Sequence, residues 1–76
     1  MNAARRKMIA KAIGCISEAR GLLEEVYGDE QAAYDNMPLG LQESERGERM
    51  ADIISEIENA VADLENLESV LEDAKA

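Results

Sequence analysis

The side chains of this chain that could do chemistry are mostly carboxylates: seventeen Asp and Glu against eight Lys and Arg, with one cysteine and no histidine. Carboxylates work as general acids or bases, or as ligands for hard cations, when their spacing groups them. Here the spacing does not. Pairs such as Glu24 with Glu25 and Glu72 with Asp73 fall inside helical stretches and read as solvated faces, and no calcium-loop pattern occurs. Without histidine no Glu-x-x-His metal motif can exist, and the commonest general base is missing. Cys15 has no imidazole to activate it and lies beside the apolar seam described below, so it reads as a buried, inert thiol. The segment GDEQAAYDNMPLGL is not a phosphate cradle, because no lysine follows its glycine. The expectation is a chain with no catalysis, no cofactor and no bound metal.

Charge narrows the partners. A net charge of −9 repels phosphate backbones, and the absence of Trp and Phe removes most stacking platforms, so direct nucleic-acid binding is not expected. An acidic surface gives solubility and can also meet a basic surface on another protein. One cysteine cannot close an internal disulfide, which suits a reducing, cytoplasmic setting. The opening MNAARRKMIAKAIGCI is basic, yet it holds no apolar run long enough for an export signal or a membrane span. Seventy-six residues suit a single domain, 1–76, whose core seldom supplies more than about 3–5 kcal/mol. With disulfide and metal staples absent, oligomerisation is expected.

The elements that position these residues are helices. From Met8 the apolar residues keep a helical period, with Ile9, Ile16 and Leu23 at heptad position a and Ala12, Ala19, Val26 and Ala33 at d. Met8, Cys15 and Leu22 widen one flank; Ile13, Tyr27 and Tyr34 widen the other. The second half repeats the scheme, with Met50, Ile57, Leu64 and Leu71 at a and Ile53, Ala60, Leu67 and Ala74 at d. Its flanks carry Ile54 and Val61 on one side and Val70 on the other. The pattern predicts a helix over about residues 3–33, a loop over about 34–43 and a second helix over about 45–74. The first helix opens with Arg5, Arg6, Lys7 and Lys11, and the second closes on Glu65, Glu68, Glu72 and Asp73. An antiparallel hairpin sets these opposite charges side by side. The predicted fold class is therefore all-α, an antiparallel two-helix hairpin.

The apolar residues are too many for one partner helix. Ile13, Leu22, Ile54, Val61 and Val70 cannot all be covered within a hairpin, and each large side chain left exposed forfeits about 1.5–3 kcal/mol of burial. Two hairpins forming a four-helix bundle would cover them. Gly14, Gly21 and Gly28 recur every seven residues away from the seam, where each costs about 1 kcal/mol relative to alanine. They read either as a close-packing stripe or as tolerated surface glycines. The candidate oligomer interface is Ile13, Gly14, Gly21, Ile54, Ile57 and Val61.

The interruption, AYDNMPLGLQESERG at residues 33–47, holds the only proline. Pro38 ends the first helix, Asp35 and Asn36 can form Asx turns, and Ser44 can cap the second helix with Glu45 and Glu48 behind it. Met37, Leu39 and Leu41 are more apolar than a solvated turn requires. They either plug the end of the bundle or form a recognition element.

The stretch YDNMPLGLQESERGE resembles a loop of small acidic proteins encoded by phages and prophages. In that group a DN-hydrophobe-P, then LQ, then SER precedes an acidic, alanine-rich helix, matched here by Asp35, Asn36, Met37, Pro38, Leu41, Gln42, Ser44, Glu45 and Arg46. The resemblance covers this loop and, more loosely, the second helix. It implies a mobile-element origin and no mechanism. Two functional expectations follow. In one, a dimeric, non-catalytic accessory protein presents Asp35, Asn36, Met37, Pro38, Leu41 and Gln42 to a host or phage protein, as an inhibitor of a host defence system would. In the other, Asp52, Glu56, Asp63, Glu65, Glu68 and Glu72 imitate the phosphates of DNA and occupy a basic cleft. A purely structural oligomer is the remaining alternative.

Overall fold

The computed structural model describes all 76 residues as helices and short connections, with no strand. Helix α1 runs Ala3–Asp35, the single turn α2 runs Leu39–Gln42, and α3 runs Glu45–Lys75. Each boundary has a local cause. The Asn2 side chain accepts from the Arg5 amide at 2.8 Å and so satisfies one of the orphan donors of the first turn. Pro38 lacks an amide proton and holds its neighbours extended, so α1 stops just before it, two residues later than the periodicity predicts. Ser44 caps α3 through the Gly47 amide, with Glu45 and Glu48 in the first turn and Lys75 in the last, as the helix dipole favours. The predicted loop is not irregular throughout, because Leu39–Gln42 folds into a helical turn.

The two long helices reverse and pack along their length as a rod whose Cα trace extends 58 × 15 × 13 Å. Tyr27 and Glu24 share a groove with Val61 and Glu58, and the Arg20 side chain reaches Glu68, so α1 and α3 run antiparallel. No helix is long and apolar enough to cross a membrane.

The seam differs from the expected one by a rotation of both helices. Ile9, Ile16 and Leu23 face α3 as expected, but their partners in the row are Ile13, Arg20, Tyr27 and Tyr34. The set Ala12, Ala19, Val26 and Ala33 is exposed instead. In α3, Met50, Ile57, Leu64 and Leu71 keep their place, joined by Ile54, Val61 and Glu68, while Ile53 and Leu67 are exposed. The physical reason is area: Ile13, Tyr27 and Tyr34 bury far more apolar surface than three alanines. Cys15 turns outward with the exposed set, so the expectation of a buried thiol is corrected: the thiol is solvent-accessible. Coverage within the hairpin is thin. Only Ile54, 6% exposed, and Gly47 are buried.

Candidate functional site

The connection between α1 and α3 is held by its own hydrogen bonds. At the end of α1 the Asn36 amide donates to the Ala32 carbonyl and the Met37 amide to the Tyr34 carbonyl, both at 3.1 Å. Pro38 then starts α2, its carbonyl accepting from Leu41 at 2.9 Å and Gln42 at 3.1 Å. The Gln42 side chain reaches back and donates through Nε2 to the Tyr34 carbonyl at 2.7 Å, tying α2 to the C-terminal turn of α1. Ser44 Oγ donates to the Leu41 carbonyl and accepts from the Gly47 amide, which fastens α2 to α3. Asp35 is engaged by the Gln31 side-chain amide at 3.0 Å.

Gly47 is the keystone of this corner. A Cβ built on it would collide with the carbonyl oxygens of Leu41 and Gln42 and stand 2.6 Å from the Gln42 carbonyl carbon. Only a glycine lets α2 lie so close over the first turn of α3. Sequence reasoning missed this residue; its signal was a glycine inside the first helical turn, where propensity disfavours it.

The six loop residues predicted as a site therefore divide. Gln42 and Asp35 spend side-chain groups on the fold, Met37 is half-buried, and Asn36, Pro38 and Leu41 are exposed. Leu39 is 69% and Leu41 50% exposed, so the apolar residues of α2 plug the hairpin end only in part and otherwise face solvent. Beside them Ala33, Met37, Leu41, Arg46 and Met50 line a shallow groove of about 250 Å³.

The six candidate acidic residues do not form one surface. Glu68 lies on the seam row at 3.0 Å from Arg20, Glu65 stands 3.9 Å from the same guanidinium, and Glu72 pairs with Lys75 at 3.2 Å. Glu24 completes the cluster around Arg20 at 2.9 Å. The Glu68 hydrogen bonds, then those of Glu24, raise the Arg20 pKa above its already high ordinary value, so Arg20 is a permanent cation. It occupies the same row as Ile13 and Tyr27, which the sequence shows by spacing alone. Glu56 and Asp63 lie to the other side of the seam, one position before Ile57 and Leu64 and in the row of Ile53 and Leu67, while Asp52 lies on the back of α3; all three are exposed and outside these ion pairs. No three Asp, Glu or Cys side chains are grouped closely enough to hold a metal ion.

The candidate oligomer interface divides as well. Ile13, Ile54, Ile57 and Val61 lie in the seam between α1 and α3, where they hold the hairpin together. Gly14 and Gly21 face open space, with nothing within 4 Å of where a Cβ would stand. The large apolar side chains left outside are others: Met8, Leu22 and Val26 on α1, and Ile53, Leu67 and Val70 on α3. Compared with known proteins, the chain matches no family model, no curated protein and no solved structure.

Proposed function

We propose that this chain is a non-catalytic, self-associating interaction protein that binds another protein through the ordered loop at the end of its hairpin. The observation that carries the reading is the surface the hairpin leaves uncovered. A monomeric globular protein of 8.3 kDa exposes about 4,600 Å² by size scaling, whereas this chain exposes 5543 Å². The excess, roughly 900 Å², is close to the ~800 Å² that each partner contributes to a stable association. It is also apolar, with Met8 72% and Leu22 60% exposed. A four-helix bundle of two hairpins accounts for it.

The loop supplies the second half of the proposal. An exposed Leu39 and Leu41 on a hydrogen-bonded turn form a rigid apolar tip, which binds with little ordering cost. Its resemblance to the loop of phage and prophage proteins extends the proposal to an accessory protein of a mobile element, working in the cytoplasm on a bacterial or phage protein, with inhibition of a host defence system as the role. The DNA-mimic alternative is weaker, because Glu65, Glu68 and Glu72 are partly neutralised by Arg20 and Lys75 and lie apart from Asp52, Glu56 and Asp63.

The test replaces residues 35–42 with a Gly/Ser linker and compares helicity, mass and capture of partners from a bacterial lysate with the native chain. Retained helicity and dimer mass with lost capture is the expected result. Unchanged capture moves recognition to the helix faces, and a monomeric native chain refutes the self-association.

A further inference from the structure

The large exposed apolar side chains of α1 and α3 lie one position before a seam residue: 8, 22 and 26 precede 9, 23 and 27, with 12, 15 and 19 in the same row before 13, 16 and 20, while 53, 67 and 70 precede 54, 68 and 71. One position is a rotation of about 100°. Because α1 and α3 run antiparallel, equal rotations in the same sense carry both stripes to the same side of the hairpin. The glycines follow the opposite rule, one position after the seam, and lie on the other side. One broad face of the hairpin thus carries these residues, unbroken along α1 and interrupted on α3 by Glu56 and Asp63, which precede Ile57 and Leu64.

Resting on the self-association proposed above, we propose that this face takes a second copy of the chain with the two rods antiparallel, α1 lying on the partner's α1 about a twofold axis at Ser17. The α1 stripe fixes a register. Continued through α1, the stripe reads Arg5, Met8, Ala12, Cys15, Ala19, Leu22, Val26, Asp29, with only its two ends charged. Antiparallel packing pairs residues whose numbers have a constant sum. With a sum of 34, Arg5 meets the partner's Asp29, Met8 the partner's Val26, Ala12 the partner's Leu22, and Cys15 the partner's Ala19. Every apolar layer then sets a larger side chain on a smaller one, as dense packing requires. Shifting by a heptad puts Asp29 on Ala12 or Arg5 on Leu22, leaving an unpaired charge on the apolar seam.

Two observations outside α1 agree with this axis. Tyr27 and Val61, with Glu24 and Glu58, share a groove, so Ser17 stands level with residue 68 of α3. The axis therefore passes between Leu67 and Val70, which are 46% and 52% exposed, and these meet across it. Charge agrees as well. Residues 27–52 at the loop end carry seven acids and two bases, while 1–13 and 64–76 together carry four acids and five bases. Antiparallel rods bring the acidic ends onto the basic ones; parallel rods would stack like on like. The arrangement leaves the two loops at opposite ends.

Cysteine pairing tests the register. Ala19→Cys places two thiols opposite the native Cys15 residues across the axis. Val70→Cys places them opposite Cys15 only if α1 lies on the partner's α3, with the rods parallel. Under mild oxidation Ala19→Cys is expected to convert most of the chain to a reducible covalent dimer, at least tenfold more than Val70→Cys or the native chain. Sedimentation of the reduced native protein is expected to give about 17 kDa, twice the chain mass. Arg5→Asp should weaken the dimer about tenfold, and Arg5→Asp with Asp29→Arg should restore it. A dimer crosslinked by Val70→Cys and not by Ala19→Cys overturns the register while leaving self-association intact. A native monomer at high micromolar concentration overturns both.

Discussion

Gly47→Ala separates a glycine that the fold requires from glycines it tolerates. On an exposed helical position, replacing glycine by alanine gains about 0.5–1 kcal/mol, largely by removing conformational freedom from the unfolded chain. Gly14 and Gly21, with open space around them, should show that gain. At Gly47 the new methyl meets the Leu41 and Gln42 carbonyls, which are backbone and cannot swing away as a side-chain tip would. Overpacking of this kind costs about 1–3 kcal/mol. Moving α2 aside would also strain the Gln42–Tyr34 and Ser44–Leu41 bonds, each worth about 1 kcal/mol. The net expectation is a loss of about 1–3 kcal/mol after the propensity gain is subtracted. For a chain of this length that lowers Tm by roughly 5–20 °C at 4–8 °C per kcal/mol. The assay is thermal unfolding followed by circular dichroism at one fixed protein concentration, since the proposed association would make Tm concentration-dependent. Gly47→Ala must fall well below the native chain, and Gly21→Ala must rise slightly above it. If both variants raise Tm alike, the close approach of α2 to α3 is wrong.

Ser44→Ala should cost about 1 kcal/mol by removing the cap on the Gly47 amide, read as a lower urea midpoint with unchanged slope. Replacing Arg20 and Glu68 together by leucine should leave hairpin stability equal or higher, because a partly covered ion pair repays little of its desolvation, whereas Glu68→Leu alone should lower it only slightly, since Arg20 keeps Glu24 and Glu65. Leu22→Asp should dissociate the proposed dimer in sedimentation while leaving helicity in place, and Gly14→Asp, on the opposite side of α1, should leave it intact; dissociation by the second and not the first would move the interface to the glycine side. Partner binding through the loop should change little between low and high salt, and a steep fall with ionic strength would favour the phosphate-mimic alternative instead.

Local chemistry determined the elements of this chain. Asn2 and Ser44 as caps, Pro38 as a stop and an unbroken apolar period are sufficient to write two long helices and a reversal, because each acts within a turn or two of its own position. The orientation was legible too, since the basic start of α1 and the acidic end of α3 must be neighbours in a hairpin. The seam was not. Both helices carry apolar residues on more than two heptad positions, and periodicity cannot say which row the neighbour covers. That choice was made by the packed pair, which buries Ile54, half-covers Ile13, Tyr27, Tyr34 and Val61, and accepts Arg20 into the row because Glu68 and Glu24 come to meet it. The alanine-rich rows were thereby turned outward with Met8, Cys15, Leu22 and Leu67, creating a face that no single helix displays. The acidic residues of α3 were divided between two sides by the same rotation. Gly47 shows the limit most sharply: its need for an absent side chain comes from two carbonyls five and six residues earlier, and exists only once α2 has folded over α3.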